Sequence, residues 1–196
     1  MVYLTLIGFP AFLFSTFSYD RDGFRAFMLC PAPRHEILHG RNIGIGILTL
    51  ICGVLTLVYV QYFITTGPGW FLGTLIQIPA CFLILALLGN AISIFLPIGF
   101  KRGSMSPVNV KVVPAVAIYV GVLLGPALAM TPASIAWSIG KVAYYADWPG
   151  GWVYFGLSVL QLVITWVVYR MCLVPLGRGL WNQETEIVQV VANIPE

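Results

Sequence analysis

A chain of 196 residues that is 59% hydrophobic and only 9% charged has too little polar surface to stay dispersed in water, because a soluble domain carries about 25% charged residues. A mean hydropathy of +0.92 makes lipid its main solvent. The formal net charge of +3 includes no basic, aromatic-rich cluster of the kind that nucleic acid requires. The fold class expected is an all-α integral membrane protein, with about five transmembrane helices and a short re-entrant or interfacial helical element.

Residues 1–17 are apolar from the first position and lack the positive leading region of a secretory signal, so they read as a short span. The connection 18–42 opens on Asp20-Arg21-Asp22-Gly23-Phe24-Arg25, followed by Phe27, Met28 and Leu29. Alternating charges at a membrane exit are commonly just solvated. An apolar patch directly beside them gives the loop the character of a docking surface.

His35-Glu36-Ile37-Leu38-His39 matches H-E-x-x-H, in which two histidines one helical turn apart hold zinc and the glutamate acts as general base. The match stands alone. Pro31 and Pro33 precede it and Gly40 follows, which leaves about two turns of expected helix, and no third ligand sits in a recognisable motif. The plain reading is a short interfacial helix with Ile37 and Leu38 dipping into lipid.

Spans are expected at 43–66, 70–96, 112–130 and 152–174. Gly67-Pro68-Gly69 makes a hairpin between the first two, Pro97 and Gly99 end the next, and Pro175 and Gly177 end the last. The segment 131–151 carries Trp137, Tyr144, Tyr145 and Trp148 among Pro132, Gly140, Pro149 and Gly150. It reads either as a re-entrant pair of short helices or as a loop lying flat at headgroup level. The tail is 175–196. Gln61, Gln77, Asn90 and Gln161 stand inside the apolar runs as candidates for a substrate path, against the ordinary role of hydrogen-bonded glue between helices. The four cysteines, Cys30, Cys52, Cys81 and Cys172, are scattered and read as free thiols. No P-loop is present, so no ATP site of that kind is expected, and no cofactor is implied.

Nine of the ten Lys and Arg residues fall in 18–42, in 97–111 or around the last exit, and only Lys141 lies on the other side. The positive-inside rule then makes the basic side cytoplasmic, with residue 1 outside and the C-terminus inside.

Together, Asp20–Arg25, Pro31-Ala32-Pro33-Arg34 and Ile37-Leu38-His39-Gly40-Arg41-Asn42 resemble the cytoplasmic loop of ABC-2-type transporter permeases. The resemblance continues in the same order through Leu88-Gly89-Asn90-Ala91-Ile92-Ser93, Gly103-Ser104-Met105-Ser106-Pro107, Tyr169-Arg170 and Gly177-Arg178-Gly179-Leu180. His35 and Arg41 depart from the family pattern, and His39 occupies a variable position, which makes the H-E-x-x-H string a matter of drift. The resemblance implies a permease in the plasma (inner) membrane that exports a substrate with ATP hydrolysed by a separate cytoplasmic cassette subunit. It also implies a second permease half, and an elbow helix and first span standing before residue 1. By the same likeness, Asp20, Arg21, Asp22, Phe24, Arg25, Phe27 and Arg34 dock the ATPase, and 131–151 is the outer re-entrant element. Two other readings stay open: an accessory subunit of a larger membrane complex, and a membrane zinc protease built on His35, Glu36 and His39.

In a cysteine-free background, cysteine at Ala146 is expected to react with an impermeant thiol reagent on intact cells, and cysteine at Ser104 only after permeabilisation. Outside labelling at Ser104 would reverse the orientation drawn from the basic residues.

Overall fold

The computed structural model describes residues 29–96 and 112–192. These form four helices, α1 Arg34–Phe63, α2 Pro68–Phe95, α3 Val112–Tyr145 and α4 Gly150–Ala192, and no strand occurs among the described residues. Each contains a stretch long and apolar enough to cross a bilayer. The chain is a multi-pass, all-α membrane protein. The expected span 1–17, loop residues 18–28 and the connection 97–111 lie outside the described residues, so four spans are seen where about five are expected.

Burial places α2 at the centre. Half of its most apolar window is covered by protein, against 17% for α1, 28% for α3 and 22% for α4. The other three helices turn Ile47, Leu55, Leu123, Val163 and Ile164 outward, as side chains solvated by lipid do. Inside, Leu38, Phe82, Leu85, Ala86, Ile94, Ala129, Tyr169 and Leu173 form one core.

Both described turns follow from local chemistry. Gly67 leads into Pro68 at the first position of α2 and its carbonyl accepts the Phe71 N–H at 3.1 Å, a place where the missing proline N–H costs nothing. At the end of α3, Asp147 adopts φ 59°. The Trp148 N–H then reaches the Ala143 carbonyl at 3.0 Å and the Asp147 N–H the Tyr144 carbonyl at 3.3 Å. This is the paired-carbonyl stop of a Schellman motif, with aspartate tolerated in the left-handed region.

Three expected boundaries are corrected. The helix expected from 43 begins at Arg34 and passes through Gly40, whose Cβ position is open space. The break expected after Met130 is absent: α3 runs on to Tyr145 through Pro126 and Pro132, so 131–145 is neither a separate re-entrant pair nor a flat loop. Hydroxyls gather beside the second proline, where Thr131 donates to the Ala127 carbonyl at 3.0 Å and Ser134 to the Thr131 carbonyl at 2.8 Å. These hydroxyls spend their protons on the helix's own carbonyls, as polar side chains in apolar surroundings do. Finally, α4 does not stop at Pro175 but continues to Ala192. Leu173, Leu180 and Ile187 recur every seven residues and are all buried, and that packing outweighs the bond lost at the proline.

α2 and α4 run side by side in the same direction, and their approach is closest where both lack a side chain. A Cβ on Gly69 would stand 2.5 Å from the Gly151 carbonyl carbon. Gly69→Val is therefore expected to lower stability by about 1–3 kcal/mol through overpacking, read as reversible unfolding in mixed micelles. Gly44→Ala, with nothing within 4 Å of its Cβ, is expected to leave stability unchanged or higher. Equal losses at both positions would contradict this packing.

Candidate functional site

Where α2 and α4 continue inward from the glycine contact, their facing residues become polar. The Gln77 Nε2 donates to Ser158 Oγ at 3.0 Å and to Gln161 Oε1 at 2.9 Å, and Ser158 Oγ donates to the Tyr154 carbonyl at 2.8 Å. Gln77 and Ser158 are fully buried. Two atoms of the cluster, Gln77 Oε1 and Gln161 Nε2, are buried without a hydrogen-bond partner. One acceptor and one donor of the cluster thus stand open in an apolar bundle, which costs free energy unless something polar visits them.

Of the four residues expected to line a path, the fold brings only Gln77 and Gln161 together. Gln61 caps the α1–α2 turn instead, its Nε2 donating to the Thr66 carbonyl at 3.0 Å and its Oε1 accepting the Thr66 hydroxyl at 2.6 Å. Asn90 lies further along α2, 1% exposed, with both side-chain polar atoms unpartnered. Toward the Lys141 end, a cavity of about 530 Å³ is lined by Trp70, Thr74, Ser134, Trp137, Lys141 and Tyr154. Thr74 and Tyr154 stand about one turn from Gln77 and Ser158, so this vestibule leads toward the polar cluster. The Lys141 ammonium lies over the Trp70 and Trp137 rings at 5.6 and 5.4 Å, whose faces attract a cation.

The opposite, basic end joins α1 to α4. Arg34 forms an ion pair with Glu184, donates to the Cys30 carbonyl at 3.2 Å and stacks its guanidinium over Trp181 at 5.2 Å. One residue on, the His35 backbone rests against Gly177, where a Cβ would come within 2.7 Å of the His35 nitrogen. The end of the expected docking loop is therefore fastened to the C-terminal third of α4. Asp20, Arg21, Asp22, Phe24, Arg25 and Phe27 lie outside the described residues.

His35, Glu36 and His39 share the first turns of one continuous helix. His39 Nδ1 is 3.2 Å from the Tyr169 hydroxyl, and that hydroxyl accepts from Asn42 Nδ2 at 3.0 Å. No group of three His, Cys, Asp or Glu residues able to hold a metal occurs among the described residues. Sequence reasoning missed Glu184 and Trp181 as partners of Arg34, and Asn42 and Tyr169 as partners of His39. The seven-residue recurrence of leucine and isoleucine through 173–187 was the available signal for the first pair. No match was found between this chain and any family model, curated protein or solved structure.

The polar cluster generates a double-mutant test. Gln77→Leu and Gln161→Leu are each expected to shift unfolding by about 1 kcal/mol, with a coupling of ~0.6–1.7 kcal/mol between them, the range for polar pairs in membrane bundles. Strict additivity would mean that the two amides do not interact.

Proposed function

We propose that this chain is the membrane-spanning permease subunit of an ABC-2-type transporter, exporting a substrate with ATP hydrolysed by a separate cytoplasmic subunit. The motifs shared in order with that family suggest the assignment. The observation that carries it physically is the fastening of the loop's end to α4 by Arg34, Glu184 and Gly177. In this reading, residues 1–17 supply a fifth span and the basic end faces the cytoplasm of the plasma (inner) membrane. Asp20, Arg21, Asp22, Phe24, Arg25 and Phe27 meet the ATPase, with Arg34 at the loop's anchored end. A second permease half completes the path.

The mechanism follows from stiffness. α4 is 43 residues long, roughly 65 Å at 1.5 Å per residue. It runs from the fastening point to the Gln77–Ser158–Gln161 cluster and on to the outer vestibule. Closure of two ATPase subunits would push the loop, and the ion pair would pass that displacement to α4. The facing amides of α2 and α4 would then exchange partners between each other and a polar group of the substrate. Such a helix shift needs two packings of similar energy. The open hydrogen-bonding atoms on Gln77 and Gln161 favour this, since neither amide is locked by a full set of bonds.

Co-purification tests the reading. Wild type is expected to retain a cassette ATPase, and Phe24→Ala with Arg25→Ala to lose at least about tenfold of it, since truncating anchors of this type costs on the order of 2 kcal/mol each. Glu184→Gln is expected to keep the ATPase while lowering substrate-stimulated hydrolysis. Co-purification with an unrelated complex and no ATPase would replace the permease by an accessory subunit.

A further inference from the structure

Between α1, α2 and α4, toward the basic end, lies a second cavity of about 280 Å³ that the transport reading leaves without a role. Its body is apolar, walled by Ile47, Leu50, Ile78, Phe82, Leu83 and Leu162. Gly46 helps to keep it open, as a Cβ there would meet the Phe82 ring at 2.9 Å. Its flank opens among Ile43, Ile47 and Leu50, which are 43–56% exposed on the lipid-facing side of α1. A water-borne solute would have to cross lipid to enter by that side.

The rim differs sharply from the body. Asn42, 2% exposed, donates from Nδ2 to the Tyr169 hydroxyl, while its Oδ1 is buried with no partner. If Tyr169 accepts from Asn42, its own proton goes to His39 Nδ1, 3.2 Å away. That arrangement places the imidazole proton on Nε2 as a donor. Trp166 stands edge-on to His39 with ring centres 6.1 Å apart and stacks on Tyr169 at 6.0 Å. The Arg170 guanidinium sits over the Trp166 ring at 6.0 Å. The rim therefore combines an imidazole donor, an indole and one buried acceptor in need of a donor, and the exposed Arg170 guanidinium stands just outside it, over the indole.

We propose that this cavity binds an anionic glycerophospholipid with a hydroxylated headgroup, drawn from the leaflet at the basic end. One acyl chain fills the apolar body, the phosphate is held by Arg170 and His39 Nε2–H, and a headgroup hydroxyl donates to Asn42 Oδ1. Charge complementarity selects the phosphate, because basic pockets between transmembrane helices attract anionic headgroups at about 1 kcal/mol per cation. The buried, unpartnered acceptor selects the hydroxyl. The lateral opening selects a lipid over a soluble anion. The proposal stands apart from transport and survives if no ATPase is found.

Native mass spectrometry of the whole protein, released from nanodiscs of phosphatidylcholine containing phosphatidylglycerol, tests it. One phosphatidylglycerol is expected to remain bound, neither displaced by excess inorganic phosphate nor matched by phosphatidylcholine. Arg170→Gln is expected to lower its occupancy about fivefold and Asn42→Leu to reduce the preference for phosphatidylglycerol over phosphatidic acid. Arg178→Gln removes the same charge from the same helix about two turns further on, away from the Trp166 ring that Arg170 covers, and is expected to change nothing. An equal loss from Arg170→Gln and Arg178→Gln would reduce the effect to diffuse attraction and overturn the site. Equal retention of phosphatidylcholine, or displacement by inorganic phosphate, would overturn it as well.

Discussion

The approach of α2 to α4 without side chains between them is the constraint on which the remainder of the bundle rests. Lipid tails are as apolar as leucine, so helices in a bilayer gain little from hiding leucine against leucine. They gain from backbone proximity, dispersion and hydrogen bonds. Gly69 and Gly151 allow that proximity, and once it exists the next residues inward must face each other at short range. Gln77, Ser158 and Gln161 are found there and bond across the gap. Moving the two helices apart by a side chain would convert those bonds into solitary amides in hydrocarbon. The glycine contact and the polar cluster are therefore one device, with the first setting the distance at which the second works.

The same seam orders the ends. α3 is returned onto α4 by the Asp147 stop, and its Lys141 lies over Trp70 at the head of α2 as well as over Trp137 of its own helix. At the other end, α1 meets α4 through Asn42 and Tyr169 and then through His35 and Gly177. α4 touches every other described helix, which explains why its most informative residues are spread from Gly151 to Ile187.

What was legible in the sequence was whatever a single segment decides for itself. The α1–α2 hairpin followed from Gly67-Pro68-Gly69, and the apolar runs marked the spans. Gln77 and Gln161 stood out as polar residues in apolar surroundings. Their partnership did not, because it depends on a helix some eighty residues away arriving in register. Gln61 looked identical in sequence and proved to cap a turn. The boundary errors share one cause. Glycine and proline at 40, 132, 175 and 177 are strong breakers in water, where the chain can leave a helix and hydrate its backbone. In hydrocarbon the backbone has no such exit, and beyond it burial of Leu180 and Ile187 holds the helix together.

Pro175 nevertheless leaves its mark. Without an N–H at that position, the Met171 carbonyl cannot receive its usual helical bond, so α4 has one joint softer than the turns around it. The joint falls between Tyr169, tied into the membrane portion through Asn42, and Glu184, tied to Arg34. Torque applied at the far end would be taken up there first, as bending, before it reached the seam with α2. The rod is thus geared: small deflections of its C-terminal third are absorbed at the joint, and only larger ones move the residues in the bilayer.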